Sequence, residues 1–177
     1  MVERKEEFKE FIDSLDEERK SGGDLTMEMI EVSDPLIIKR ENNKIVGVCC
    51  VRRYELINDP YLIIKKEFQG RGYGTMLTKK LIEQSKGKIN AIVLRVIIDN
   101  APAIHVYQAC GFKRLWKRRR NENTMELRMF IPLNRKGWFT PLRFAAMDIV
   151  LYLKRIKSLE PLISYLIRHI KKYLRIN

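Results

Sequence analysis

Asn100-Ala101-Pro102-Ala103-Ile104-His105-Val106-Tyr107-Gln108-Ala109-Cys110-Gly111-Phe112 reads as a short helix over 101–110, with Asn100 as its cap and Gly111 as its terminator. Pro102 is tolerated there because the first turn of a helix leaves its N–H groups unpaired. The run before it, Ile89 to Ile98, is rich in branched residues and reads as a strand. Further back, Gly72 to Lys86 is helical, with Met76, Leu77, Leu81 and Ile82 on one face and Gly87 closing it. Tyr61-Leu62-Ile63-Ile64 is a short strand whose unbroken apolar character suits a sheet covered on both faces. On the C-terminal side, Phe112–Arg118 and Thr124–Pro132 form a hairpin around Asn121-Glu122-Asn123. Toward the N-terminus, Pro35–Arg40 and Ile45–Tyr54 pair through a turn at Glu41-Asn42-Asn43-Lys44. Glu3 to Lys20 spaces Phe8, Phe11, Ile12 and Leu15 as an amphipathic helix, ended by Ser21-Gly22-Gly23. Leu25 to Val32 fits either a strand or a short helix.

Between the apolar strand and the helix lies Gln69-Gly70-Arg71-Gly72-Tyr73-Gly74-Thr75. Its glycines remove side chains where a backbone must turn tightly and approach a ligand. The helix start that follows offers unpaired N–H groups and the positive end of a dipole, a cradle for a pyrophosphate; the alternative is a plain strand–helix connection. No Gly-Lys-Ser/Thr follows, which excludes a Walker A loop. The glycine spacing also departs from G-x-G-x-x-G, and no acidic residue closes the next strand at the distance a dinucleotide fold requires.

Together the two stretches resemble the GNAT superfamily of N-acetyltransferases. Gln69, Gly72 and Gly74 fit the pattern Gln/Arg-x-x-Gly-x-Gly/Ala. Asn100, Ala103, Tyr107, Gly111 and Phe112 fit Asn-x-x-Ala-x-x-x-Tyr-x-x-x-Gly-Phe. Their order and separation are also those of the superfamily, and the likeness extends over about residues 36–131. The resemblance implies an α/β fold with a mixed central β-sheet flanked by helices over residues 1–132, acetyl-coenzyme A as co-substrate, and an amine as acceptor. It implies that the backbone of Leu62, Ile63 and Ile64 pairs with the pantetheine arm as an added strand would. The amides of Gln69, Gly70, Arg71, Gly72, Tyr73, Gly74 and Thr75 would hold the pyrophosphate, helped by the charge of Arg71. Asn100 would hydrogen-bond the pantetheine, and Tyr107 would stand near the thioester sulfur. When an amine attacks the thioester, coenzyme A leaves as a thiolate, and a phenol of pKa about 10 can protonate it at neutral pH. The alternative for Tyr107 is a helix tyrosine packed at the sheet.

Two features depart from the superfamily pattern. Its usual opening, a strand and then two helices, is not evident: the chain starts in a helix, so the first strand is missing or displaced into Leu25–Val32. Ribosomal-protein N-terminal acetyltransferases of the superfamily often carry Leu-Glu-Val-Arg on the strand before the second motif, with the Glu as base. Here Leu94-Arg95-Val96-Ile97 puts Arg95 in that place. Glu55 and Asp59 are the remaining carboxylate candidates, with an ordinary loop role as their alternative. A lysine amine of pKa about 10.4 is neutral in roughly one molecule in 2,500 at pH 7, whereas an α-amine of pKa about 7.8 is neutral in about one in seven. A site without a strong base is therefore much less handicapped on α-amines, or on amines delivered through a water chain.

The 177 residues suit one domain with a real core, and 45% hydrophobic with 32% charged residues excludes both a disordered tail and a membrane protein. The charged start Met1-Val2-Glu3-Arg4-Lys5-Glu6 leads into no apolar segment of a secretory signal, so a cytoplasmic location is expected. Cys49, Cys50 and Cys110 lack metal-ligand spacing, His105 and His169 are far apart, and no metal is expected. Adjacent Cys49 and Cys50 on a strand would face opposite sides, so at least one belongs to the core.

A net charge of +13 asks for an anionic partner without saying which. Residues 133–177 read as a basic helical extension: from Arg135 onward ten basic residues face two acidic ones, a net +8. Phe144–Lys157 and Leu159–Arg175 look helical, and Leu162, Ile163, Leu166, Ile167, Ile170 and Leu174 form one apolar stripe. Three readings compete for it: packing on the domain's own sheet or on a second copy as a homodimer, contact with an anionic membrane, or contact with RNA. RNA would also engage Lys113, Arg114, Lys117, Arg118, Arg119 and Arg120. The acceptor favoured from sequence is a protein or peptide amine. The amine of an aminoacyl-tRNA is the runner-up, and a non-catalytic module binding nucleic acid or membrane is the competitor.

Overall fold

The structure is a computed structural model that describes residues 2–15, 25–53 and 58–142, together with Ala145 and Tyr165. The chain divides into two compact units, Met1–Gly137 and Trp138–Asn177. In the second, residues 140–142, Ala145 and Tyr165 are helical. Apart from Ala145 and Tyr165, the two helices expected over Phe144–Lys157 and Leu159–Arg175 lie outside the described residues, as does residue 16 onward in the first expected helix.

In the first unit, α1 (Val2–Asp13) turns Phe8, Phe11 and Ile12 inward and is followed by buried Leu15. The ambiguous segment before the first strand is helix α2 (Met27–Glu31). The Thr26 hydroxyl accepts from the Met29 amide at 3.2 Å, and this cap selects the helix over a strand. Helix α2 thus occupies the place to which a displaced first strand had been assigned.

Strands β1 (Ser33–Glu41), β2 (Lys44–Arg53) and β3 (Asn58–Ile64) form an antiparallel sheet in that order. The β1–β2 turn is just Asn42 and Asn43, both at positive φ (47° and 62°), as a two-residue hairpin requires. Beyond β3 come a 3-10 turn (Lys66–Phe68), α3 (Tyr73–Ser85), β4 (Ala91–Ile97) and α4 (Ala101–Ala109). Strands β5 (Lys113–Asn121) and β6 (Thr124–Pro132) complete a second antiparallel sheet, ordered β4-β6-β5. The α/β architecture with flanking helices is the expected one, with its six strands divided between two sheets. Strands β3 and β4 are neighbours, but among the described residues no ladder joins them.

Helices cover both faces of the first sheet. On one face Ile45, Val48 and Ile63 pack with Phe8, Phe11, Leu15, Met29 and Ile30. On the other Ile37, Cys49 and Val51 join Leu77 and Leu81 of α3, Ile104 of α4, and Ile92, Leu94, Leu127 and Met129 of the second sheet. Strict alternation would send Ile45 and Val48 to opposite faces. The register explains the exception: Lys39 opposes Gly47 while Arg40 opposes Ile45, so Val46 bulges out of the ladder and resets the phase. Both Cys49 and Cys50 are buried, and burial pushes the Cys49 thiol well above the usual range. A fork from Arg40 to Glu7 (Nε–Oε1 2.9 Å, Nη2–Oε2 2.5 Å) ties α1 to β1 at the surface, where such pairs contribute little stability. Among the described residues no helix is long and apolar enough to cross a membrane.

Leu77 is fully buried where α3 meets the first sheet. Leu77→Ala should cost about 2–5 kcal/mol in denaturant unfolding, from lost transfer energy plus a cavity. A change below about 1 kcal/mol would contradict this packing.

Candidate functional site

The backbone of Gly72 at φ 79° turns the loop into α3, and Gly70 sits at φ 75° just before it. A side chain at either would be strained, and a Cβ built on either would meet nothing within 4 Å, so the loop has an open side. Helix α3 has no side-chain cap: the first intrahelical bond runs from the Met76 amide to the Gly72 carbonyl at 3.0 Å. The amides of Tyr73, Gly74 and Thr75 therefore form a donor-rich helix start of the kind that receives anions.

The same turn packs tightly. A Cβ on Gly74 would lie 3.4 Å and 3.6 Å from the Val106 methyls and 3.8 Å from Leu62 Cδ2. Alanine would just fit, and anything larger would push apart α3, α4 and β3. Three of the stretches singled out in sequence, Leu62–Ile64, Gln69–Thr75 and Asn100–Phe112, thus converge on Gly74. Gln69 donates from Nε2 to the Ile64 carbonyl at 2.9 Å and ties the loop to the end of β3. Arg71 folds back, donating from Nη2 to the Glu67 carbonyl at 3.1 Å with its guanidinium 4.9 Å from the Phe68 ring centroid. Its exposed guanidinium is thereby held against the 3-10 turn that leads into the loop.

Tyr73, the first residue of α3, donates from its hydroxyl to Oε1 of Glu41 at the end of β1. Lys39 Nζ lies 2.9 Å from the same oxygen and 4.5 Å from the Tyr73 ring centroid. The Tyr73 hydroxyl and then the Lys39 ammonium hold the Glu41 carboxyl below its ordinary range, with Arg71 adding to the effect. Glu41 in turn raises the Lys39 ammonium. No local signal connects Glu41 and Tyr73: they are 32 residues apart.

At the start of α4, Asn100 Oδ1 accepts from the Ala103 amide at 3.1 Å, the cap expected from sequence. The side chain's Nδ2 is its remaining donor. Tyr107 lies two turns along α4, roughly 10 Å away. It is partly buried against the central core, with its ring 5.6 Å from that of Phe112 and tilted by 59°. Cys110 Sγ lies 3.7 Å from the Thr75 carbonyl, a second link between α4 and the start of α3, and burial raises its thiol pKa.

Arg95 is exposed on β4, directly opposite Arg128 of β6. Of the two carboxylate candidates, Glu55 lies outside the described residues, and Asp59 stands in β3 opposite Arg52. Among the described residues there is no group of three side chains able to hold a metal.

Removing the cap should separate stability from architecture. Asn100→Ala should cost about 1 kcal/mol, the usual worth of an N-cap, leaving the fold intact. Thermal unfolding with no change in midpoint would show that the cap carries no load.

With this geometry in view, the family model of the Acetyltransferase (GNAT) family matches residues 4–112. The chain is similar to an acetyltransferase of the GNAT family from Streptococcus pneumoniae, at 21% identity and TM-score 0.64, over 75% of this chain and 95% of that one. It is similar to the ribosomal-protein-S18-alanine N-acetyltransferase from Escherichia coli, at 18% identity and TM-score 0.55, over 70% and 88%. It is also similar to the spermidine N-acetyltransferase from Vibrio cholerae in complex with coenzyme A and spermine, at 17% identity and TM-score 0.56, over 71% and 88%. Against several other acetyltransferase structures it spans only 63–66% of their length. The model match covers more than half of the chain, which belongs to the GNAT family of acetyltransferases, enzymes that use acetyl-coenzyme A as co-substrate.

Proposed function

We propose that this protein transfers the acetyl group of acetyl-coenzyme A to a primary amine, with a protein or peptide α-amine as the favoured acceptor, in the cytoplasm. The observation that carries the proposal is the uncapped start of α3 behind two left-handed glycines. It offers directed amides and a dipole to a pyrophosphate, with Arg71 beside them. Leu62, Ile63 and Ile64 lie on the strand at the β3–β4 boundary, where backbone groups can pair with the amides of a pantetheine arm. Asn100 contributes its Nδ2 to that arm.

Tyr107 supplies the proton to the departing thiolate. Its place on α4, one residue from Val106, which touches Gly74 of the coenzyme loop, supports that role. The α-amine preference rests on Arg95, a cation where ribosomal-protein N-terminal acetyltransferases of the superfamily often carry a Glu. Without that base the acceptor must arrive neutral, which an α-amine does far more often than a lysine. Among the similar structures, one enzyme is named for spermidine and one for the alanine of ribosomal protein S18, so amines of different kinds are served on this fold. A second reading, acetylation of an aminoacyl-tRNA, is favoured by the mostly exposed cationic strand β5. It predicts an acceptor affinity that falls steeply with salt.

Two variants test the site. Gly72→Val should put a branched side chain over the helix start at the cost of about 2 kcal/mol of backbone strain, and abolish coenzyme A binding in a folded protein. Unchanged affinity by calorimetry would overturn the placement of the pyrophosphate. Tyr107→Phe should keep fold and coenzyme affinity while lowering kcat by roughly 10²-fold. Turnover within about twofold of the parent would assign proton donation elsewhere.

A further inference from the structure

We propose that Glu41, at the tip of the β1–β2 hairpin, is a positioning residue for the coenzyme loop: by holding the Tyr73 hydroxyl it fixes the orientation of the α3 start. The inference rests on the coenzyme reading of that loop. Tyr73 is the first helical residue after Gly72, so its side chain is the first handle by which the fold can grip the turn. Gln69 fastens the approach to the turn and Gly74 packs behind it, but the turn between them is permissive. Gly70 and Gly72 bring backbone freedom, and the helix has no side-chain cap to stiffen its entry.

The grip comes from a rigid place. Glu41 ends β1 opposite Lys44, and the two-residue turn of Asn42 and Asn43 leaves the tip little slack. Lys39 lies two residues earlier on the same strand face, with its ammonium on the carboxylate oxygen that receives the Tyr73 hydroxyl. One oxygen thus accepts from two donors, and the Lys39 ammonium also lies over the Tyr73 ring. The arrangement solves an electrostatic problem as well. A carboxylate beside a pyrophosphate site would repel the ligand, and Lys39 offsets that charge while the bond to Tyr73 is kept.

The experiment compares coenzyme A affinity by calorimetry, and KM and kcat for acetyl-coenzyme A, in the full-length protein. Glu41→Ala and Tyr73→Phe should each weaken coenzyme A binding by about three- to tenfold, the range of one net hydrogen bond. KM should rise by more than kcat falls. Glu41→Gln, whose carbonyl can still accept from the hydroxyl, should stay within about twofold of the parent. The double variant should bind no more weakly than the weaker single one, because both remove the same bond. If Gly72→Val abolishes binding but Glu41→Ala and Tyr73→Phe leave it unchanged, even with a lowered melting temperature, the positioning role is wrong and the coenzyme reading stands. Additive losses in the double variant would also overturn the coupling. If Gly72→Val binds normally, the coenzyme reading itself fails.

Discussion

At Gly72 the chain passes through a left-handed conformation and enters α3 with no side chain over the first amides of the helix. Those amides would cost free energy if buried without partners, so the turn must stay open to solvent or to a ligand. The surrounding contacts hold it so. Gln69 fastens the loop to the last residue of β3, and Gly74 lets α4 and β3 close in behind the turn. The hydroxyl of Tyr73 reaches out to the first hairpin. A helix start that looks unfinished in isolation is thereby fixed against β3 and α4.

The contrast between the two helices makes the same point energetically. Helix α4 is capped by Asn100 and begins with a proline-containing turn, both of which favour a stable, self-sufficient start. Helix α3 forgoes a cap and takes its stability from Leu77 and Leu81, buried in the core shared by both sheets. A local rule broken at α3 and satisfied at α4 is the pattern that the proposed coenzyme site would impose.

Much of this was legible in the sequence because its causes are local. Apolar spacing marked α1 and α3, and Asn100 and Gly111 marked the ends of α4. The glycines of the loop pointed to their own open turn. What stayed hidden depends on contacts distant along the chain. The choice of helix for Met27–Glu31 follows from the Thr26 cap and the burial of Met29 and Ile30 against β2 and α1, which composition leaves undecided. The bulge at Val46 is a register effect between strands, invisible in a run of apolar residues. In sequence Glu41 is simply part of a turn, and its bond to the Tyr73 hydroxyl exists only once the hairpin is set against α3. The division of the strands into two sheets was equally unreadable, since each strand shows its pattern without its partner.

The most direct measurement is an amide chemical-shift titration of the isotope-labelled protein with coenzyme A and, separately, with pantetheine, which lacks the pyrophosphate. Coenzyme A should shift the amides of Tyr73, Gly74 and Thr75 strongly and saturably, whereas pantetheine should leave them nearly unmoved and act on Leu62–Ile64 and Asn100. Shifts from coenzyme A confined to the basic strand β5 or to the C-terminal unit, with the start of α3 silent, would contradict the account.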